Sequence, residues 1–114
     1  MHALIIEDEP LIALLIEDHL RAMGYLSVDF AVTEADAVTA ARRRCPDLIT
    51  SDVSLEVGCG IDAVEAICEG RTIPVVFITA NPQEVRQRAA DAAVLAKPFV
   101  AGDLKRALAM ACSA

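Results

Sequence analysis

The sequence predicts an α/β domain built on a parallel β-sheet with helices on both faces. Three observations predict it. Strand-like apolar runs and amphipathic helical stretches alternate from one end of the chain to the other. The strand-like runs are nearly continuous rather than alternating with polar residues, as burial on two faces requires. At 114 residues, the chain is long enough for one core without cross-links. Hydrophobic residues make up 55% and aromatics only 4%, so Ala, Val, Leu and Ile must fill that core.

The first strand is expected over 3–6, where apolar residues run into three acids. Pro10 suits the first turn of a helix, where a missing N–H costs nothing. That helix would turn Ile12, Leu15, Ile16, His19, Leu20 and Met23 inward and stop at Gly24. A strand near 26–30 precedes a helix over 34–44, with Ala35, Val38 and Ala41 inward and Pro46 preventing its continuation. Arg42, Arg43 and Arg44 fall where cations suit the helix dipole. "DLITSD" (47–52) reads as the third strand, followed by the loop "VSLEVGCG" and a short helix over 61–69. "IPVVFITA" (73–80) is the most strand-like stretch of the chain. Asn81 should cap and Pro82 open a fourth helix, running to about Ala90. "AAVLAKPF" (92–99) supplies a fifth strand, and the last helix, 101–112, packs Leu104, Ala107, Leu108 and Ala111. Right-handed crossovers leave few topologies for this pattern. The flavodoxin-like (βα)5 order 2-1-3-4-5, doubly wound, is the one expected.

Composition sets limits on partners. A formal net charge of −7 argues against nucleic acid and anionic membrane surfaces, either of which needs a basic stripe. No apolar run approaches the roughly 20 residues of a bilayer span, and no signal peptide is evident, so a cytoplasmic location is the expectation. Cys45, Cys59, Cys68 and Cys112 show no metal-type spacing and read as small hydrophobes. Cys59 is set apart only by its place in a loop near the site described next. His2 and His19 have no ligand partner at useful spacing and read as structural or exposed.

In sheets of this kind, ligands sit beyond the carboxyl ends of the strands. Those ends carry Glu7 and Asp8, then Asp52, then Thr79 and Ala80, then Lys97 and Pro98. The order 2-1-3-4-5 makes the first and third strands neighbours, so Asp8 and Asp52 should converge. Two carboxylates ~4 Å apart repel by about 4 kcal/mol at an effective dielectric near 20. Such a group must raise a pKa or hold a cation. Oxygen donors without His or Cys select a hard ion, and few protein ligands select Mg²⁺. With Lys97 and the Thr79 hydroxyl added, the site suits phosphoryl oxygens. Taken singly, Thr79 could be an ordinary strand residue, Lys97 a surface lysine, and Asp52 or Glu9 an acid at a helix entry. It is their joint appearance, in order, at the strand ends that favours a site.

Through "LIIEDEP", "LITSDVSL", "GIDAVEAI", "VVFITA" and "AKPF", the whole chain resembles the response-regulator receiver domain. The stretches "SLEVGCGIDAV" and "FITANP" look most like receivers of alphaproteobacterial general-stress regulators. The resemblance implies that Asp52 is the phospho-acceptor. It implies Mg²⁺ held by Asp8, Asp52 and the backbone carbonyl of Ser54, with Glu7 acting mainly through water. Thr79, the Ala80 N–H and Lys97 would bind the phosphoryl group, with a cis peptide before Pro98. Gly60 would let the loop after Asp52 turn toward the next helix. The implied partners are a sensor histidine kinase or histidine phosphotransfer protein and a downstream protein. The signal would pass through a face formed by the fourth helix, fifth strand and last helix. Residues 1–114 would be a single receiver with no effector domain, not an enzyme for a free metabolite.

The chain departs from the family pattern at Val94, where many receivers carry a switch aromatic; Tyr25 lies elsewhere and cannot substitute. The fourth helix should be short or mobile. Glu56, Gly58 and Gly60 suggest a mobile loop beside the acceptor. Leu11 and Leu14, off the inward stripe, are either scattered surface apolars or part of a kinase-docking face. Two alternative functions are a phosphorylation-independent binding module and a Mg²⁺-dependent phosphohydrolase. The second would need a further acid, which "DVSL" does not place two residues past Asp52.

Overall fold

The computed structural model describes residues 1–112. The elements are β1 (His2–Ile6), α1 (Pro10–Ala22), β2 (Ser27–Ala31), α2 (Glu34–Arg43), β3 (Leu48–Ser51), α3 (Gly60–Ile67), β4 (Val75–Thr79), α4 (Pro82–Arg88), β5 (Ala93–Ala96) and α5 (Ala101–Cys112). The five strands are all parallel, in the expected order β2-β1-β3-β4-β5. β1 and β3 pair directly, Ile6 opposite Ser51, so their carboxyl ends lie side by side.

Alternation along each strand divides the core in two. Leu4, Ile6, Ile49 and Phe77 face α2, α3 and α4, meeting Ala37, Ala41, Ile61, Val64 and Val85. Ala3, Ile5, Leu48, Val76 and Ile78 face α1 and α5, meeting Ile16, Leu20, Leu104 and Leu108. Each of the larger buried side chains contributes about 1.5–3 kcal/mol relative to exposure. Only the three inner strands are apolar on both faces. The edge strands β2 and β5 are half-buried, and Leu26, expected to open β2, is exposed.

The inward faces of two helices differ from expectation. On α1 the buried residues are Ala13, Ile16 and Leu20, while Leu15 and Met23 are 40% and 37% exposed. The first turns of α1 are apolar nearly all round, so spacing alone does not choose the face. On α2, Ala37 and Ala41 are buried, Val38 is half-buried and Ala35 is exposed, for the same reason in an alanine-rich helix. Asn81 occupies the cap position of α4 but its side chain makes no capping bond. Thr33 does cap α2, its Oγ1 accepting from the Asp36 N–H at 3.1 Å. α4 is short, at seven residues. Cys59 and Cys68 pack against the core, but Cys45 and Cys112 are exposed, in the turn after α2 and the last turn of α5, and do not act as buried hydrophobes. Among the described residues, no helix is long and apolar enough to cross a membrane.

Candidate functional site

The ends of β1, β3 and β5 meet in one acidic pocket. Glu7, Asp8, Glu9 and Asp52 each offer a carboxylate oxygen, and these four oxygens lie within 4.8 Å of one another. Lys97, carried just past β5, reaches into the group. Its Nζ is 3.0 Å from Asp52 Oδ2, 2.9 Å from Glu7 Oε1 and 3.8 Å from Glu9 Oε1. The contact with Asp52 is a hydrogen bond. The contact with Glu7 is one of charge, for the buried Glu7 Oε1 has no aligned hydrogen-bond partner.

The backbone fixes the rest. Asp52, 7% exposed, is anchored by its own N–H to Ile6 O and by Oδ1, which accepts from the Val53 N–H at 2.7 Å. Asp8 Oδ2 accepts from the Glu56 N–H at 2.7 Å, tying β1 to the loop after β3. Glu7 Oε2 accepts from the Glu9 N–H at 3.1 Å. Ser54 is exposed in that loop and bridges to Cys59. Thr79 is buried at the end of β4; its Oγ1 accepts from the Asn81 N–H at 3.0 Å and its carbonyl accepts from the Lys97 N–H at 2.8 Å. Ala80 follows it, exposed. The Lys97–Pro98 peptide is cis.

Charge is out of balance here, with four carboxylates to one ammonium. Burial pushes the Glu7 carboxyl above its usual range, with Lys97 pulling it back only in part. Burial works to lower the Lys97 ammonium, yet Glu7 and Asp52 outweigh it, so its pKa lies above the ordinary value. The donor set fits a small hard cation: it is all oxygen, clustered, and includes a buried oxygen without an aligned donor.

Some residues of the site escaped the sequence reading. Glu9, read there as a first-turn acid, is the N-cap residue of α1 in extended conformation (φ −94°, ψ 108°) and joins the cluster. The residue before a proline is pushed to such angles, so the pair Glu9-Pro10 was the available signal. Glu34 of α2 accepts from the Cys59 N–H at 3.0 Å, and its own N–H donates to Val57 O at 3.2 Å. No sequence pattern announces that contact. With Gly58 at φ +96° packed over the Glu34 side chain, the loop is tethered, contrary to the mobility that its glycines suggested. Gly60 is needed for close approach, not for a turn: a Cβ there would stand 1.6 Å from Asp52 O. Tyr25 hydrogen-bonds Cys112 through its hydroxyl (3.7 Å), far from Thr79 in the fold, and Val94 is half-buried against the core.

Comparison with known proteins agrees with this geometry. Residues 3–109 match the response regulator receiver domain family. The phyllosphere-induced regulator PhyR of Methylorubrum extorquens is 37% identical over 112 residues, 95% of this chain and 42% of that protein. The transcriptional regulatory protein PdtaR of Mycobacterium tuberculosis is 40% identical over 114 residues, 96% of this chain and 56% of that protein. The chain thus spans about half the length of the curated relatives it matches. Among solved structures, the PhyR receiver domain of Erythrobacter litoralis superposes with a TM-score of 0.89 at 34% identity, covering 98% of this chain and 89% of that one. The receiver domain of a Pseudomonas aeruginosa sensor histidine kinase, solved with a magnesium ion coordinated in the active site cleft, gives 0.82 at 33% identity, covering 99% and 98%. The PhyR matches accord with the general-stress type suggested by the loop and β4 sequences. A five-strand order, an acidic pocket at its carboxyl end and a match over 3–109 lead to one conclusion: the chain belongs to the response regulator receiver domains, signalling modules of two-component systems rather than enzymes of free metabolites.

Proposed function

We propose that Asp52 accepts a phosphoryl group from a phosphohistidine on a sensor kinase or phosphotransfer protein. The observation that carries this is the division of labour between its two oxygens. Oδ1 is held by the Val53 N–H, whereas Oδ2 faces Lys97 in the pocket. Oδ2 is therefore the nucleophile: its electron pair forms the new O–P bond while the N–P bond breaks and its pair returns to the donor imidazole. Lys97 Nζ, freed from Oδ2 as that oxygen becomes the bridging oxygen of an acyl phosphate, would meet a phosphoryl oxygen. The Thr79 hydroxyl accepts from Asn81 and keeps its own proton to donate; with the Ala80 N–H it completes the phosphoryl site.

Glu7, Asp8, Asp52 and the Ser54 carbonyl would hold Mg²⁺, with Glu9 alongside. Bound there, the ion supplies neutralisation of the charge that gathers on the phosphoryl oxygens. The added phosphate charge, about −1.5 to −2, would bias the face made by α4, β5 and α5, which a downstream protein would read. Residues 1–114 act in this as one receiver unit.

Mass spectrometry after acetyl phosphate and Mg²⁺ tests the acceptor. One phosphate should appear on the wild type and none on Asp52→Asn; phosphate on both would overturn the assignment. Leu11 and Leu14, 82% and 53% exposed on α1, suit contact with a kinase helix. Alanine at both should slow transfer from the kinase about tenfold and leave acetyl phosphate uptake unchanged. Equal loss in both assays would exclude docking through α1.

A further inference from the structure

We propose that Arg88, in the last turn of α4, couples the position of that helix to the phospho-acceptor, supplying a link that Val94 cannot make. The proposal rests on Asp52 being the acceptor. The Arg88 guanidinium spans the gap between α4 and the start of α3. Its Nη2 lies 2.6 Å from Asp62 Oδ1 and 3.6 Å from Glu65 Oε1, and its Nη1 donates to Cys59 Sγ at 3.6 Å. Cys59 stands at the N-cap position of α3 and Asp62 lies in its first turn, so one side chain grips that end of α3 at two points.

That end of α3 is in turn seated on the acceptor. The Gly60 N–H donates to Val53 O at 2.8 Å, and the Gly60 Cα lies so close to Asp52 O that even a methyl group would collide with it. Glu34 holds the Cys59 N–H from the other side. A displacement of the Asp52 backbone must therefore move Cys59 and Asp62, and with them the contacts of Arg88. On its own side, α4 is lightly held. Val85 is its buried residue, and Asn81 offers no side-chain cap. Val94, on neighbouring β5, is too short to swing between a buried and an exposed position as a large ring can.

The contacts of Arg88 exist in the arrangement in which Lys97 is paired to Asp52. A phosphorylation that shifts the start of α3 would loosen them, and in the proposal they hold the domain in its unphosphorylated arrangement. Removing them should raise the population of arrangements in which α4 is displaced, and uptake that proceeds through those arrangements should quicken in proportion. For an exposed pair the expected change is about two- to fivefold.

The test is the rate of phosphate uptake from acetyl phosphate and Mg²⁺, followed by intact-mass spectrometry, with a thermal melt for each protein. Arg88→Ala and Asp62→Asn should each quicken uptake two- to fivefold. The double variant should be no faster than either single one, and Arg88→Lys, which keeps the ion pair, should fall back toward wild type. A purely structural clamp would lower Tm and leave the rate unchanged, and that result overturns the proposal. Slower uptake or multiplicative effects in the double variant overturn it as well. If the wild type itself takes no phosphate, the acceptor assignment fails first, and the result is distinguishable from a wild type that reacts at the same rate as its variants.

Discussion

Each end of the sheet buries a polar side chain, His2 at one and Glu7 at the other, and the two are treated oppositely. At the amino end, the parts form a closed relay. Arg44 donates to Ser27 Oγ (2.8 Å), Ser27 Oγ meets His2 Nδ1 (2.8 Å), and His2 Nε2 meets Asp29 (3.1 Å). A carboxylate can only accept, so Nε2 donates to Asp29, while Nδ1 meets the Ser27 hydroxyl. The His2 N–H donates to Asp47 Oδ2 and the Asp47 N–H donates to His2 O, each at 2.7 Å, closing the arrangement. At the carboxyl end, four carboxylates share one lysine, and Glu7 Oε1 is left without an aligned donor. A buried group whose partners satisfy it defines a structure; charge left in surplus defines a place for a ligand.

Three experiments put this contrast at risk. The largest effect is expected at Gly60→Ala. The new Cβ would lie 1.6 Å from the Asp52 backbone oxygen, so α3 must move off Asp52, at about 3 kcal/mol or more. Denaturant melts read the loss, and phosphate uptake should fall with it. A well-folded, active variant would show that the contact is not tight.

At the opposite end, His2→Ala should cost about 2 kcal/mol by opening a cavity and stranding the relay. Mg²⁺-dependent uptake should persist in whatever fraction remains folded. If uptake is lost from folded protein, the two ends are not independent.

The smallest effect is one of pH. The folded pKa of Glu7 is raised above 4.5 by burial, so the native state holds its proton more tightly than the unfolded chain. Its ionisation therefore costs stability as pH rises through the window above 4.5, and the cost levels off beyond the folded pKa. In chelator, Glu7→Gln should gain on wild type across that window. Mg²⁺ at ten times its Kd should stabilise wild type by about 1.4 kcal/mol and the variant by less. A pH-independent difference between the two would show that Glu7 carries no burial penalty.

How much of this was legible in the sequence follows from how local each signal is. Asp52, Thr79 and Lys97 each stand at the end of an apolar run, so the strand order alone brings them together. The faces of α1 and α2 were not legible, since Leu14, Leu15, Ala35 and Ala40 leave apolar residues on several sides. Glu9 needed the backbone angles that Pro10 imposes. The bond from Cys59 to Glu34 joins residues 25 apart, and the close approach at Gly60 is a matter of ångströms; neither leaves a trace in residue order. The two exposed cysteines were misread because residue type does not say which side of a turn faces water.

Lys97 has a consequence for the supply of metal. By standing among Glu7, Glu9 and Asp52, it gives the acids an internal counter-ion that folds with the chain. The domain should therefore fold where divalent ions are scarce, any ion that binds acting on the pocket and not on the fold.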